Sequence, residues 1–207
     1  MRHVSHLKYP LDVLFSVSSH LAILRALQHS REGMSGRAIA RQAGMNHQAC
    51  ALALRRLEAI GVVKRQGTGR TQLVRLNFDN YLIKELVLPL LRKEGELLGV
   101  MREDIVSYFK HDAVAISLFG SVARGGDLPG SDVDVLFAVK RIGKDKLLQK
   151  ANAYSTAFTQ KYGVRLSPLV LTLAETRRKV KQSDTLLKHI LADGIDLLPT
   201  KLQEVIR

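Results

Sequence analysis

A single cysteine, Cys50, leaves this chain without an internal disulfide or a cysteine-built metal cluster, so packing alone must hold it together. Its histidines, His3, His6, His20, His29, His47, His111 and His189, are scattered without metal-ligand spacing, which points to surface and helix-cap roles. No stretch comes near the ~18 uncharged apolar residues that a membrane helix needs. The opening residues Met1 to His6 lead into no apolar run or small-residue cleavage site. The expectation is a cytoplasmic protein with no membrane partner. Low-complexity tracts and Pro/Ser-rich linkers are missing too, so all 207 residues should fold, as two domains of roughly 80 to 120 residues each.

Acid is the other shortage. Asp and Glu number 19 against 32 Lys and Arg, and the net charge of +13 favours a polyanionic partner. Nucleic acid comes before a membrane surface, because no basic amphipathic membrane helix is evident. The imbalance is greatest early: residues 1–80 hold 12 Lys/Arg and 4 Asp/Glu, and residues 81–207 hold 20 and 15.

The early part has the spacing of three helices and a hairpin. Leu21, Ile23, Leu24 and Leu27 give one apolar face over 19–29. Ser35 is placed to cap a second helix that Gly44 stops, and Asn46 to cap a third that runs to Ile60 before Gly61. At 100° per residue, Cys50, Ala53, Leu54, Leu57 and Ile60 share one side of the third helix, while Gln48, Ala51 and Arg55 share the other. Two short strand-like runs, 62–66 and 70–76, flank Gly67-Thr68-Gly69. Asn46, His47, Gln48 and Arg55 are the expected double-stranded DNA face, Gln48 suiting adenine and Arg55 guanine or phosphate. Lys64, Arg65 and Arg70 near the hairpin tip suit phosphate contact. In the order of these elements, residues 11–77 resemble the winged helix-turn-helix regulators of bacteria and archaea. The competing reading is a protein-interaction module with a solvated basic face; the local charge bias favours DNA.

Residues 79–109 carry a helical pattern of Leu and Ile long enough for two helices, or for one bent at Pro89. So much apolar surface needs a partner, either the flanking domains or a second copy of the chain, and a homodimer would match a palindromic DNA site.

Chemistry concentrates further on. The apolar run 113–119 reads as a buried strand and ends at Gly120-Ser121. A glycine-rich segment follows, then Ser131-Asp132-Val133-Asp134 and a second strand-like run to Val139. Alternation along a strand puts both carboxylates on one side, able to share a hard cation such as Mg²⁺ that brings substrate phosphates with it, while Val133 and Val135 face the core. Gly120 lets the backbone approach a triphosphate, and Ser121 can hydrogen-bond its oxygens. Arg124 suits phosphate charge, or a carboxylate such as Asp127.

The string Gly-Ser-x-Ala-Arg-Gly…Ser-Asp-x-Asp resembles the minimal nucleotidyltransferases of the superfamily that includes DNA polymerase beta, and the likeness extends over roughly 111–199, ending in Asp193 to Leu198. The resemblance implies Asp132 and Asp134 as catalytic metal ligands, with Gly120, Ser121, Arg124 and Ser131 holding a nucleoside triphosphate. It implies in-line attack of an acceptor hydroxyl on the α-phosphorus with loss of pyrophosphate. It also implies a third carboxylate on a later strand. The candidate strand, 164–171, follows a helical stretch 144–162 and contains no Asp or Glu; Ser167 or its neighbour stands where the acid is expected, and Glu175 beyond it suits a helix's first turn. Two readings stay open. One is a transferase acting on a protein or small-molecule hydroxyl, as in toxin–antitoxin and aminoglycoside nucleotidyltransferases. The other is a regulator that only senses nucleotide. The expected architecture is α+β in two domains: a winged helix-turn-helix over 1–78, a helical connector over 79–110, and a nucleotidyltransferase-like mixed sheet with flanking helices over 111–207.

Overall fold

The computed structural model describes residues 7–69 and 72–206, and the chain divides into two compact units, up to Leu97 and from Leu98 onward. Arg70, expected at the hairpin tip, lies outside the described residues.

The first unit is a winged helix. A short helix α1 (Pro10–Leu14), which the sequence pattern had not marked, buries Leu14. Helix α2 (Ser18–Leu27) turns Ile23, Leu24 and Leu27 inward, α3 (Gly36–Gln42) is capped by the Ser35 hydroxyl, and α4 (His47–Ala59) is capped by Asn46. Cys50, Ala53, Leu54 and Leu57 of α4 are buried as the helical spacing requires; Ile60 caps the end and is half-buried. Strands β1 (Val63–Gln66) and β2 (Leu73–Leu76) pair antiparallel, Val63 opposite Leu76 and Gln66 opposite Leu73. The second strand starts three residues later than expected, so the connecting loop is longer than a tight turn. A bridge between Met34 and Val74 adds a third edge to the hairpin.

Beyond the wing the chain is helical from Leu82. The segment Leu82–Val87 is wound as a π-helix, and α5 (Leu88–Phe109) follows it. Pro89 explains the change of winding. Its ring has no N–H and crowds the carbonyl four residues back, so the preceding turn widens and the Leu88 N–H bonds to the Ile83 carbonyl, five residues away. Ile83, Val87 and Leu91 belong to the first unit's core, Met101, Ile105 and Phe109 to the second's.

The second unit is a four-stranded mixed sheet with helices. Strand β3 (Ala115–Phe119) leads into the short helix α6 (Gly120–Arg124); β4 (Val133–Val139) pairs antiparallel with β3. Helix α7 (Lys144–Tyr162) then crosses to β5 (Leu166–Thr172), which runs parallel to β4. Helices α8 (Leu173–Lys181) and α9 (Thr185–Asp193) precede the two-residue strand β6 (Ile195–Asp196) beside β3, and α10 (Leu202–Val205) follows. The order across the sheet is β5-β4-β3-β6. Period-two alternation gives the sheet two faces. Val133, Val135, Phe137 and Val139 pack with Leu118 and Val170 among α7 and the end of α5, whereas Leu136, Ala138 and Leu171 pack with Leu187, Ile190 and Leu202.

The far end of β5 is fastened to α8 by Glu175. Thr172 and Glu175 form a capping box, and Lys144 donates to both Glu175 oxygens at 2.6 and 2.7 Å. The Lys144 bond first, then the Thr172 backbone N–H, pull the Glu175 carboxyl from its ordinary 4.5 to about 2. A depressed folded value means stability that is complete above pH 4.5 and is lost as the pH falls through about 2. Glu175→Gln keeps a capping amide but no charge. In urea titrations it should be less stable than the parent at pH 7, with the gap closing as the pH is lowered from 4.5 towards 2; a gap independent of pH would mean that the charge contributes nothing.

Candidate active site

At the end of β3 the chain turns sharply into α6, and the turn is made at Gly120 with φ of +77°. Antiparallel pairing sets Phe119 opposite Asp134, so the Asp134 carboxylate lies over the turn. A Cβ on Gly120 would collide with Asp134 Oδ2 and stand 3.2 Å from its Cγ. Glycine is therefore required twice here, by the left-handed backbone and by the carboxylate. Asp132 precedes β4 and Asp134 lies within it, both half-buried, while Val133 and Val135 between and beyond them are buried on the opposite face. Ser121 sits in the first turn of α6, and its carbonyl accepts the Gly126 N–H at 3.0 Å, closing the glycine-rich loop. Arg124 ends α6; no ion pair joins it to Asp127 among the described residues. Ser131 closes a second turn, its hydroxyl accepting the Leu128 N–H at 2.9 Å and its own N–H donating back to the Leu128 carbonyl.

The parallel pairing of β5 with β4 decides what stands beside the acids. Asp134 is opposite Ser167, and Val133 opposite Leu166. One step outward the Val133 N–H bonds to the Arg165 carbonyl at 2.8 Å, which brings Arg165 beside Asp132. The Arg165 guanidinium donates from Nε to Asp132 Oδ1 at 3.0 Å and from its second fork nitrogen to Oδ2. That hydrogen bond, with the charge behind it, holds the Asp132 carboxyl below the usual carboxylate range against the opposing cost of burial. Arg165 was not singled out from the sequence. Its signal is a basic residue one place before a strand whose partner opens with an acid, visible only once the strand register is known.

The basic face of the winged helix is built at the start of α4. Asn46 uses its side chain to cap, accepting the Ala49 N–H at 2.8 Å, while His47, Gln48 and Arg55 are exposed. Ser35, Arg37, His47, Arg65 and Gln72 line a cleft of about 820 Å³ between α3, α4 and the hairpin. Arg37, exposed on α3, is a further basic group on this face that the sequence reading passed over. The two cations of β1 are already engaged: Lys64 with Asp79 at 3.3 Å, and Arg65 with Glu58 at 2.8 Å and Gln72 at 3.0 Å. Arg65 thus ties the hairpin to α4.

Residues 18–64 match the family model described as winged helix-turn-helix DNA-binding, and residues 100–197 match that of the nucleotidyltransferase domain. Over 75 residues the chain is 35% identical to the Methanocaldococcus jannaschii protein named "Putative protein adenylyltransferase MJ0141", an alignment covering 36% of this chain and 76% of that one. The chain belongs to the nucleotidyltransferase domain family. A solved structure described as the crystal structure of the toxin-antitoxin with AMP-PNP matches at a TM-score of 0.33 with 19% identity, covering 50% of this chain and 77% of that one.

Within the nucleotidyltransferase domain, the position on β5 opposite Asp134 is filled by Ser167, which carries no carboxylate. Among the described residues no group of three or more His, Cys, Asp or Glu side chains is placed to hold a metal ion. Glu175 cannot stand in. It is spent in the capping box, eight residues along from Ser167, and a strand rises about 3.3 Å per residue. The closeness of Gly120 to Asp134 makes a measurable prediction. Gly120→Ala should cost more in the parent than in an Asp134→Ala background, by about 1 kcal/mol, because only the backbone cost survives when the carboxylate is gone. Equal costs in a double-mutant cycle of urea titrations would mean that the carboxylate swings aside freely.

Proposed function

We propose that this protein binds DNA through its winged helix and, in its nucleotidyltransferase domain, binds a nucleoside triphosphate with Mg²⁺ and transfers the nucleoside monophosphate to a hydroxyl acceptor. The observation that carries this reading is the approach of Asp134 to the Gly120 turn, where a missing Cβ leaves backbone and carboxylate in contact, with Asp132 two residues earlier on the same side of the chain. The donor set suits a hard divalent cation: two carboxylates on one side of one strand, oxygen donors only, with substrate phosphates to complete the shell. Mg²⁺ would supply neutralisation of phosphate charge and polarisation of the α-phosphoryl group.

The remaining work falls to the chain. Asp132 and Asp134 would hold the cation, Gly120 and Ser121 would lie against phosphate oxygens, and Arg124 would add positive charge at the rim. Ser131 sets the turn that delivers Asp132. A new bond forms between the acceptor oxygen and the α-phosphorus, the α–β bridge breaks, pyrophosphate leaves with the electron pair, and the acceptor's hydroxyl proton passes to solvent water. The likeness to a protein named for adenylyl transfer to protein supports a protein hydroxyl as acceptor and adenylate as the transferred group.

A second reading is favoured by Ser167 and Arg165. With a hydroxyl opposite Asp134 and a guanidinium on Asp132, β5 supplies no third carboxylate to take the acceptor's proton, which suits a transcriptional regulator that senses nucleotide without turning it over. In either case the setting would be the cytoplasm, and the exposed Leu86 and Leu90 of the first unit would serve a homodimer.

Purified protein should be incubated with Mg²⁺, each labelled nucleoside triphosphate and cell extract, alongside Asp132→Ala/Asp134→Ala. Transfer that falls about 10²-fold or more in the variant supports the transferase; metal-dependent binding without transfer supports the sensor; neither binding nor transfer removes both. For the winged helix, Gln48→Ala should weaken binding to a selected duplex by about 1–3 kcal/mol while leaving random duplex nearly unchanged at the same salt, read by fluorescence anisotropy. Equal binding of both duplexes by both proteins would take the start of α4 out of the base-reading surface.

A further inference from the structure

We propose that Arg165 is an exchangeable ligand of the candidate active site: it occupies Asp132 while no cation is bound and moves to the triphosphate when cation and nucleotide enter. The inference rests on the nucleotide-binding reading above and concerns how that site is filled.

The backbone and the side chain of Arg165 are under different constraints. Its carbonyl is fixed by the Val133 N–H at 2.8 Å, so its Cα stays beside the start of β4. Its side chain is 70% exposed, against 28% for Asp132, and among the described residues the guanidinium hydrogen-bonds to that carboxylate alone. Exposed pairs of this kind are weak, so the arm can leave at small cost. It also has room to move: Arg165 borders a cleft of about 340 Å³ with Asn152, Ser155 and Thr156 of α7 and Ser167 of β5.

The fork takes up both oxygens of Asp132, the same oxygens a cation would need. A cation and Arg165 therefore compete for one carboxylate, while the triphosphate offers the displaced guanidinium a better partner than water does. Planar guanidinium matches phosphate oxygens as it matches a carboxylate, two bonds at a time. Charge points the same way. A triphosphate brings more negative charge than one divalent cation cancels on top of two carboxylates, and Ser167, opposite Asp134, adds no further acid. The guanidinium is thus attracted inward when nucleotide arrives and is held on Asp132 when it is not there. Metal and phosphate would therefore enter the site together.

Opposite responses in one variant test this. Mn²⁺ binding would be measured by electron paramagnetic resonance on the full chain and on Arg165→Gln, first alone and then with inorganic triphosphate, which carries the phosphate chain shared by all nucleoside triphosphates. Asp132→Ala/Asp134→Ala marks the site, and urea titration checks that Arg165→Gln is folded like the parent. The expected result is Mn²⁺ alone binding about 2- to 5-fold tighter to Arg165→Gln, and triphosphate with Mn²⁺ binding about 10-fold weaker. Arg165→Lys should recover part of the triphosphate affinity by charge. Changes of the same sign, or none, would overturn the exchange while leaving nucleotide binding intact; tighter Mn²⁺ with unchanged triphosphate would overturn the hand-over. Failure of both chains to bind either probe would remove the nucleotide reading and this one with it.

Discussion

The parallel pairing of β4 with β5 is the constraint on which the candidate site depends, because a strand register places several side chains at once. With Val133 opposite Leu166, Asp134 must meet Ser167 and Arg165 must lie beside Asp132. The same register carries Leu136, Ala138 and Leu171 into one core and Val135, Phe137 and Val170 into the other. A slip of one residue would turn each of these to the opposite face, taking the valines out of their core and setting the acids in their place. Two buried faces therefore hold the register, and the register holds the charges. The site inherits its precision from the core, and its loop contributes only the approach at Gly120.

Much of this was legible in the sequence. The strand ending at Gly120, the strand after Asp132, the helix Lys144–Tyr162 and the three helices of the winged unit all have apolar spacing that local physics reads directly. Capping by Ser35 and Asn46 was legible for the same reason: the bond spans three residues. The absence of an acid on the strand that carries Ser167 needed only that strand's composition. What stayed hidden was long-range. The Arg165–Asp132 pair spans 33 positions and needs the strand pairing. The Arg65–Glu58 bond needs the hairpin folded back on α4, and from the sequence that arginine reads as a phosphate contact. The bridge from Met34 to Val74 and the short helix at Pro10 are tertiary consequences with too few residues to leave a periodic trace.

Charge is divided between the units with some economy of role. In the winged unit the two cations of β1 are committed to acids, Lys64 to Asp79 and Arg65 to Glu58, while Arg37, His47 and Arg55 stand exposed on α3 and α4. Under the proposed DNA-binding reading, such a face would meet nucleic acid with groups that are not paired to acids among the described residues. That is the arrangement in which phosphate contacts position a helix whose other side chains can read bases.

The two ends of β5 show how one strand can carry an ion pair that is structural and another that can be given up. At its far end Glu175 accepts two bonds from Lys144, accepts the Thr172 N–H, and completes a capping box, so its charge is bound into helix α8 from three directions. Removing any partner leaves the others in place, and the carboxylate has nowhere better to go. At the near end Asp132 has, among the described residues, one guanidinium reached from an exposed arm and no backbone donor. The first pair gains from cooperation among its donors; the second has a single donor that a cation or a phosphate can outbid. Since both acids sit on the same rigid frame, the difference between a brace and a latch comes down to how many backbone groups share the carboxylate.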